Sequence, residues 1–240
     1  MRKNGFTLVE AIIAMAVGAL IMAAVYGYMS LVQKNSANVD RKIVTQQDTR
    51  MVLDLMATEI RMASYLPPPC NNSTWLTIPA CPEMTGWGGT PVRDYKGIQV
   101  ADANKIFVAM DLNGDGVIGP PGANEYIMYS YDGASTLSRD VSCSGNWAIL
   151  GGTALSSNVR NAVAGPGSTL VPMFRYFDRA NNDITATVSN NASTVNGIPA
   201  IRRILITIVA DTADKDLNTK MPKRIVYSTS VAVRNHGFTY

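Results

Sequence analysis

The sequence predicts an α+β fold in which one long N-terminal helix lies on a head built around an antiparallel β-sheet. Residues 6–66 contain no proline and only two glycines, as expected of a continuous helix. Three consecutive prolines at residues 67–69 then mark the end of that helix. From residue 96 onward, short segments rich in Val, Ile, Tyr and Thr alternate with turns of Gly, Asn, Asp and Pro, which is typical of strands.

The first half of the predicted helix has the composition of a membrane span. Residues 6–32 carry one charged side chain, Glu10, and they reach roughly 40 Å, whereas the hydrocarbon core of a bilayer is about 30 Å thick. Arg2 and Lys3 precede the span, so the positive-inside rule places the N-terminus in the cytoplasm. Residues 1–5 are too short for the basic region of an ordinary secretory signal, and no small-residue cleavage site follows the span.

Glu10 is the unusual residue of this span. Insertion scales put the cost of a charged side chain at mid-helix at about 2.5–3.5 kcal/mol, and at less near a helix end. We therefore expect a positive charge to compensate Glu10 when the protein works.

The motif GFTLVE at residues 5–10 resembles the class III signal of type IV pilins and of the pseudopilins of type II secretion. The resemblance implies that prepilin peptidase removes residues 1–5 by cutting after Gly5, and that Phe6 becomes an N-methylated N-terminus. It also implies that Glu10 pairs with the free amine of a neighbouring pilin, once the helix moves from the inner membrane into the core of an extracellular filament. The alternative is an accidental signal-anchor.

Residues 33–66 continue the helix but change its character. Their apolar side chains recur with a period near 3.6 and charged side chains fill the other positions, which predicts an amphipathic stretch packed on the head. One helix is therefore expected from Phe6 to about Tyr65, roughly 90 Å long. The apolar positions are Val39, Ile43, Val52, Leu55, Met56, Ile60 and Ala63.

Residues 67–240 are expected to form an extracytoplasmic, β-rich head. Pro, Gly, Asn and Ser dominate residues 67–95, which predicts an irregular loop whose Trp75 and Trp87 either cover the core or form a contact surface. The polar residues 181–196 predict a second, exposed loop. Strands are predicted at residues 97–100, 105–110, 125–131, 136–141, 170–177, 201–209 and 223–234, the last two pairing antiparallel.

Part of the head carries a second resemblance. YSYD at residues 129–132, followed by LSR at 137–139, resembles the Y-x-Y-D…L-x-R hairpin of PilW-type minor pilins and their J-type pseudopilin relatives. SVAVRN at residues 230–235 resembles the C-terminal strand of the PilW family. These resemblances favour a PilW-type minor pilin with the lollipop fold of type IV pilins, and they imply a priming or tip complex formed with other minor pilins.

The cysteines Cys70, Cys81 and Cys143 indicate one disulfide, because an exported head lies in an oxidising compartment. Three pairings are possible. We favour Cys70–Cys81, which closes the shortest loop and would add about 3 kcal/mol through the loop-closure entropy it removes. The sequence has no C-x-x-C motif and no Cys/His cluster, so we expect no zinc site.

DLNGDGVI at residues 111–118 copies the first half of an EF-hand calcium loop, with oxygen-bearing side chains at alternate positions and glycine at the sixth. The twelfth position holds glycine instead of the bidentate glutamate, so a later acid would have to complete the cage. One interpretation is a structural Ca2+ site, and the other is a turn that favours Asn, Asp and Gly. The ligands would be Asp111, Asn113, Asp115, the Val117 carbonyl and Glu125.

The sequence shows no catalytic set. It has no hydrolase, zinc-protease or Walker motif, so we expect neither an enzyme nor a small-molecule substrate. Its one histidine, His236, is expected to be a solvated tail residue.

Removing Arg2 and Lys3 from the 21 basic residues leaves 19 against 18 acidic ones, which argues against a general nucleic-acid binder. The basic residues Arg202, Arg203, Lys220, Lys223 and Arg224 are expected to be a solvated strand edge, with binding of DNA or an acidic partner as the alternative.

Three hypotheses about function follow. The first is a minor pilin, and the second is a type II secretion pseudopilin whose local physics would be almost the same. The third is a membrane-anchored adhesin or enzyme whose head acts alone.

Overall fold

The computed structural model of the chain describes residues 7–81, 90–119, 124–152, 157–161, 171–188, 197–212 and 215–237. Within these ranges, one long helix precedes nine strands that form two antiparallel sheets. The predicted α+β lollipop is therefore confirmed. The predicted processing residues Gly5 and Phe6, and also Trp87, lie outside the described residues.

Helix α1 runs from Leu8 to Arg61, a length of about 80 Å for its 54 residues. The Thr7 side chain caps its start by accepting a hydrogen bond from the Glu10 amide. The helix ends four residues before the expected Tyr65, well ahead of the prolines. Ser64 adopts a φ of 61°, and its amide donates to the Ala109 carbonyl at 2.9 Å, so the backbone turns into the head there.

The C-terminal part of α1 packs on the head along a stripe with helical spacing. Packing begins near Thr45, which is later than the amphipathic pattern suggests. Val39, Ile43 and Leu55, which were expected to face the head, are 55%, 43% and 40% exposed. The buried stripe consists of Thr45, Thr49, Val52, Leu53, Met56, Ala57 and Ile60.

The first sheet is a five-stranded antiparallel meander with neighbouring strands in chain order. One face contributes to the main core with α1 and the second sheet. The other face carries Phe107, Tyr126 and Met128, which pack with Trp75 from the segment after the prolines. Trp75 is fully buried, so it covers the core and is not a contact surface. The strands are β1 (Ile98–Ala101), β2 (Lys105–Ala109), β3 (Tyr126–Tyr131), β4 (Leu137–Val141) and β5 (Trp147–Leu150).

The second sheet is organised around its longest strand, β8. Strand β9 pairs antiparallel with β8 along nearly its whole length, as the sequence predicted, while β7 and β6 share the opposite edge. β7 pairs with the N-terminal part of β8, and β6 pairs with its C-terminal part. The strands are β6 (Ser157–Val159), β7 (Phe174–Phe177), β8 (Arg203–Thr212) and β9 (Arg224–Ala232).

Part of the predicted loop at residues 181–196 is instead a short helix, α2 (Thr185–Val188). Ile184 and Val188 are buried in the main core, so this segment is not fully exposed as predicted. Residues 189–196 lie outside the described residues.

The predicted Cys70–Cys81 disulfide is wrong. Cys81 is bonded to Cys143, with 5.9 Å between their Cα atoms, and Cys70 is a free thiol. The segment that contains Cys81 covers the outer face of the first sheet, where the turn after β4 brings Cys143 beside it. Contacts between distant segments, and not loop length, therefore decide the pairing. The bond closes the covering segment onto the sheet.

Candidate functional site

The stem, which we define as residues 8–32 of α1, is apolar on every side and lies outside the head. Its large apolar side chains remain between 45% (Val32) and 78% exposed (Leu8). By length and composition this helix is able to cross a membrane, and none of its most apolar window is buried by the rest of the described chain. Because apolar surface in water costs about 25 cal/mol per Å2, the stem requires lipid or other apolar helices around it.

Glu10 lies in the first turn of α1, where the helix dipole favours a negative charge. Among the described residues its carboxylate has no ion-pair partner. The compensating cation expected from the sequence is thus not supplied by residues 7–81 or by the described parts of the head.

A clamp of three side chains joins the helix to the first sheet. Glu59, in the last turns of α1, accepts hydrogen bonds from the Tyr129 hydroxyl and from two nitrogens of Arg139. Tyr129 and Arg139 are direct cross-strand partners on β3 and β4, so their side chains share one face of the sheet. Burial, together with the Glu59 charge, raises the pKa of Tyr129, which therefore stays protonated and donates.

The remaining positions of the Y-x-Y-D…L-x-R pattern also have structural roles. The Tyr131 hydroxyl donates to the Val159 carbonyl at 3.3 Å, and Leu137 is fully buried opposite Tyr131. Asp132 accepts hydrogen bonds from three amides of the turn that follows, at 2.8–3.0 Å. The pattern therefore builds the hairpin and fixes it to the helix.

A second set of contacts holds the head to α1 nearer the stem. Asn38 accepts a hydrogen bond from the Leu217 amide at 2.9 Å, and Arg41 donates to the Lys215 carbonyl at 3.0 Å. Asn218 donates to the Asn35 side chain at 2.8 Å. Polar residues of the helix therefore replace the apolar contacts expected from Val39 and Ile43. With the clamp at Glu59, these contacts fix α1 at both ends of the head.

The predicted calcium loop is compact, and two of its three acids, Asp111 and Glu125, are buried, whereas Asp115 is exposed. Asp111 is fully buried and accepts hydrogen bonds from the amides of Gly114 and Gly116, at 2.7 and 3.0 Å. Glu125, 1% exposed, accepts from three amides, those of Leu112, Asn113 and Gly119. The structure thus brings Glu125 to the loop, as the sequence prediction requires.

The carboxylate oxygens of Asp111, Asp115 and Glu125 already accept hydrogen bonds within the chain. Asp115 accepts from the Val117 amide at 2.8 Å, which is the contact of an Asx turn, and from the Asn113 side-chain amide at 2.9 Å. No group of three or more His, Cys, Asp and Glu side chains is arranged to hold a metal in the part of the chain that the structure describes. Ca2+ at this loop remains a prediction.

His236 is a buried connector, so the expectation of a solvated tail residue is wrong. Its Nδ1 lies 2.8 Å from the Ser64 hydroxyl, and its Nε2 lies 2.8 Å from the Ile198 carbonyl. Nε2 can only donate to a carbonyl, so Nδ1 accepts from Ser64, whose oxygen in turn accepts from the Gly97 amide at 3.0 Å. Burial lowers the pKa of His236 to about 3, consistent with a neutral ring.

Gly97 is required where the helix turns into the head. A side chain there would overlap the Ala109 carbonyl oxygen and the Ser64 amide. Ser64 and His236 are both fully buried, and besides the bond between them Ser64 accepts from the Gly97 amide and His236 donates to the Ile198 carbonyl. This Ser–His contact therefore holds the junction between the helix and the C-terminal segment, and it offers no access to a substrate.

The basic cluster predicted from the sequence is divided between the two ends of the second sheet. At one end Arg224 pairs with Asp211, and Lys223 pairs with Asp216. Arg202 and Arg203 lie at the other end, at the start of β8. Lys220, Lys223 and Arg224 are exposed, as expected of a solvated strand edge, whereas Arg202 and Arg203 are half-buried and lie apart from them.

Comparison with protein families finds one match. Residues 1–26 match the prokaryotic N-terminal methylation motif, which includes the GFTLVE sequence and most of the stem. The chain has no significant match among curated proteins or among solved structures. The N-terminus therefore carries the methylation motif of prepilin-type proteins, which supports a type IV pilin or pseudopilin and implies processing by prepilin peptidase and assembly with other pilins.

Proposed function

We propose that this chain is a prepilin whose mature form is a minor, PilW-type subunit of a type IV pilus, acting in a priming or tip complex. The observation that carries the proposal is the exposed, apolar stem, which bears one acid and continues without a break into a helix clamped to the head. Such a stem needs a lipid environment first and apolar helices of other subunits afterwards.

The proposed sequence of events begins at the inner membrane. The stem spans the bilayer once, with the N-terminus in the cytoplasm and the head outside. Prepilin peptidase cuts after Gly5, and methylation follows at Phe6. The new N-terminal amine of a neighbouring subunit then supplies the positive charge that Glu10 lacks within the described chain, and an ion pair in apolar surroundings is strong.

The rigid connection between stem and head explains how assembly positions the head. Glu59 lies 49 residues beyond Glu10 on the same helix, and its bonds to Tyr129 and Arg139 prevent the head from rotating about α1. A displacement of the stem out of the membrane therefore moves the head with it. The bulk of the head fits a subunit that is used in few copies.

Mass spectrometry of the protein purified from producing cells tests this proposal. The expected chain begins at a methylated Phe6, and a Gly5→Val variant, which alters only the cleavage position, should retain Met1. An intact Met1 in the unaltered protein would favour a simple membrane anchor with a head that acts alone.

A deletion strain separates the minor pilin from the pseudopilin of type II secretion. Loss of surface pili with normal secretion of folded proteins is the expected result. Loss of secretion with normal pili would instead favour a J-type pseudopilin.

A further inference from the structure

The end of the head opposite the stem contains a pocket lined by arginines. The pocket has a volume of about 490 Å3, and the residues that line it come from the turn after β7, the start of β8 and the segment after β9. These residues are Asp178, Arg179, Asn181, Arg202, Arg203, Arg234 and Gly237.

The pocket lies far from the membrane-spanning part of α1. The C-terminal end of β8 lies near residues 215–218, which contact Asn38 close to the stem. The N-terminal end, with Arg202 and Arg203, lies beside His236 and the Ser64 junction, past the end of the helix. The pocket therefore lies at the end of the head that is farther from the stem.

None of the four guanidinium groups is paired with a carboxylate within the described residues. The side chains of Arg179 and Arg234 make no hydrogen bond there, and the Asp178 carboxylate is occupied by the amide and side chain of Asn182. Elsewhere in the head Arg139, Arg175 and Arg224 each pair with an acid. The pocket is thus a local excess of positive charge.

Two of the arginines are held in place by neutral partners. Arg202 donates to the carbonyls of Pro199 and Ile201, at 2.8 and 2.7 Å. Arg203 donates to Asn181 and lies 3.8 Å from the centre of the Phe177 ring. Burial and then the charge of Arg179 lower the pKa of Arg202, which indicates that these positive charges repel one another.

We propose that this arginine pocket binds a compact oligo-anion, a ligand with two or more phosphate or carboxylate groups. Guanidinium groups match such oxyanions through paired N–H donors. Four guanidinium groups around one cavity fit a ligand with several anionic groups better than a ligand with a single one. Because two of the arginines are held in place, the pocket favours a ligand of defined shape. The volume lies within the range of about 300–1,000 Å3 that is usual for ligand pockets.

Isothermal titration of the full chain in non-ionic detergent, at constant ionic strength, tests the proposal with pyrophosphate, citrate and orthophosphate. Saturable binding of pyrophosphate or citrate, about tenfold or more tighter than that of orthophosphate, is expected because several charged hydrogen bonds form together. The double variant Arg179→Ala/Arg234→Ala should weaken binding at least tenfold. Both side chains are exposed, so circular dichroism should show an unchanged fold.

The matched control is Lys42→Ala/Arg61→Ala, which removes two exposed positive charges from α1 and should bind like the unaltered protein. Equal losses in both double variants would indicate general charge attraction and overturn the proposal, as would the absence of saturable binding. Binding of tetraglutamate without binding of pyrophosphate or citrate would also overturn it, in favour of an acidic partner protein.

Discussion

Arg139 on β4 and Glu59 on α1 are joined through both carboxylate oxygens, although 80 residues separate them in the chain. The guanidinium donates from Nε to Oε2 at 3.0 Å and from a terminal nitrogen to Oε1. The Tyr129 hydroxyl donates to the same carboxylate. This contact ties the helix to the centre of the first sheet, so helix and head form one mechanical unit.

Replacing Arg139 by Ala should destabilise the protein by about 2 kcal/mol, because a largely buried carboxylate loses two charged hydrogen bonds. Chemical denaturation of the full chain, followed by tryptophan fluorescence, measures this change. The control is Arg175→Ala, which breaks a more exposed pair with Asp183 and should cost less than about 1 kcal/mol. Equal effects of the two substitutions would show that the Glu59 contact is not a special attachment.

His236 should make stability depend on pH. Its pKa is lowered to about 3 in the folded state, against about 6.5 when unfolded. Between these values the unfolded chain binds a proton that the folded chain does not, so the free energy of unfolding should fall as pH falls below 6.5. Between pH 6 and 5 the slope should approach about 1.4 kcal/mol per pH unit.

Urea unfolding from pH 7.5 to 5 measures that slope. A His236→Gln variant should be less stable at pH 7.5, and its free energy of unfolding should depend little on pH in this window. The chain has one histidine, so its ring resonance can also be followed by NMR. An imidazole that protonates near pH 6.5 in the folded protein would disprove the buried, neutral assignment.

The disulfide makes a chemical prediction. Peptide mapping without reduction should find Cys81 linked to Cys143. Changing both residues to Ser should cost about 4 kcal/mol, because the bond closes a loop of 62 residues whose entropy is regained on unfolding. Cys70→Ser should have little effect on stability, and a Cys70–Cys81 peptide would contradict the pairing.

Calcium should raise the melting temperature of the full chain if the loop at residues 111–118 holds the ion. Asp111 and Glu125 are buried acids close to the same turn, so a divalent cation would relieve their repulsion. The variant Asp111→Ala/Asp115→Ala should lose the calcium-dependent shift, and Mg2+ serves as the control ion. If Ca2+ leaves the unaltered protein unchanged, the loop is a self-sufficient Asx turn.

The helix and the longer strands could be predicted because their patterns are local. The absence of proline from residues 6–66 and the β-branched runs near Ile206 and Val226 are visible in the sequence itself. β5 was missed because most of its side chains lie outside the core, with Trp147 67% exposed, and β6 was missed because it has only three residues. Strands this short depend on their neighbours more than on their own composition.

The parts of the site that sequence reasoning missed depend on contacts between distant segments. His236 and Ser64 lie 172 residues apart, and no local pattern marks either as buried. The L-x-R pattern was recognised, but its attachment to Glu59 was not, because one acid on a helix with many charges carries no distinguishing signal. The arginine pocket likewise combines three segments that are distant in the chain. Only one of them, with Arg202 and Arg203, was recognised in the sequence as basic.

Whether assembly needs Glu10 is tested by the incorporation of a Glu10→Ala variant into filaments. The matched control is Asp54→Ala, on the exposed part of α1. Quantitative immunoblotting compares the variant in sheared surface filaments with the amount in membranes. We predict that Glu10→Ala accumulates in the membrane and is largely absent from filaments, while the control assembles normally. Incorporation of Glu10→Ala at the level of the unaltered protein would show that assembly does not depend on pairing of Glu10 with the amine of a neighbouring subunit.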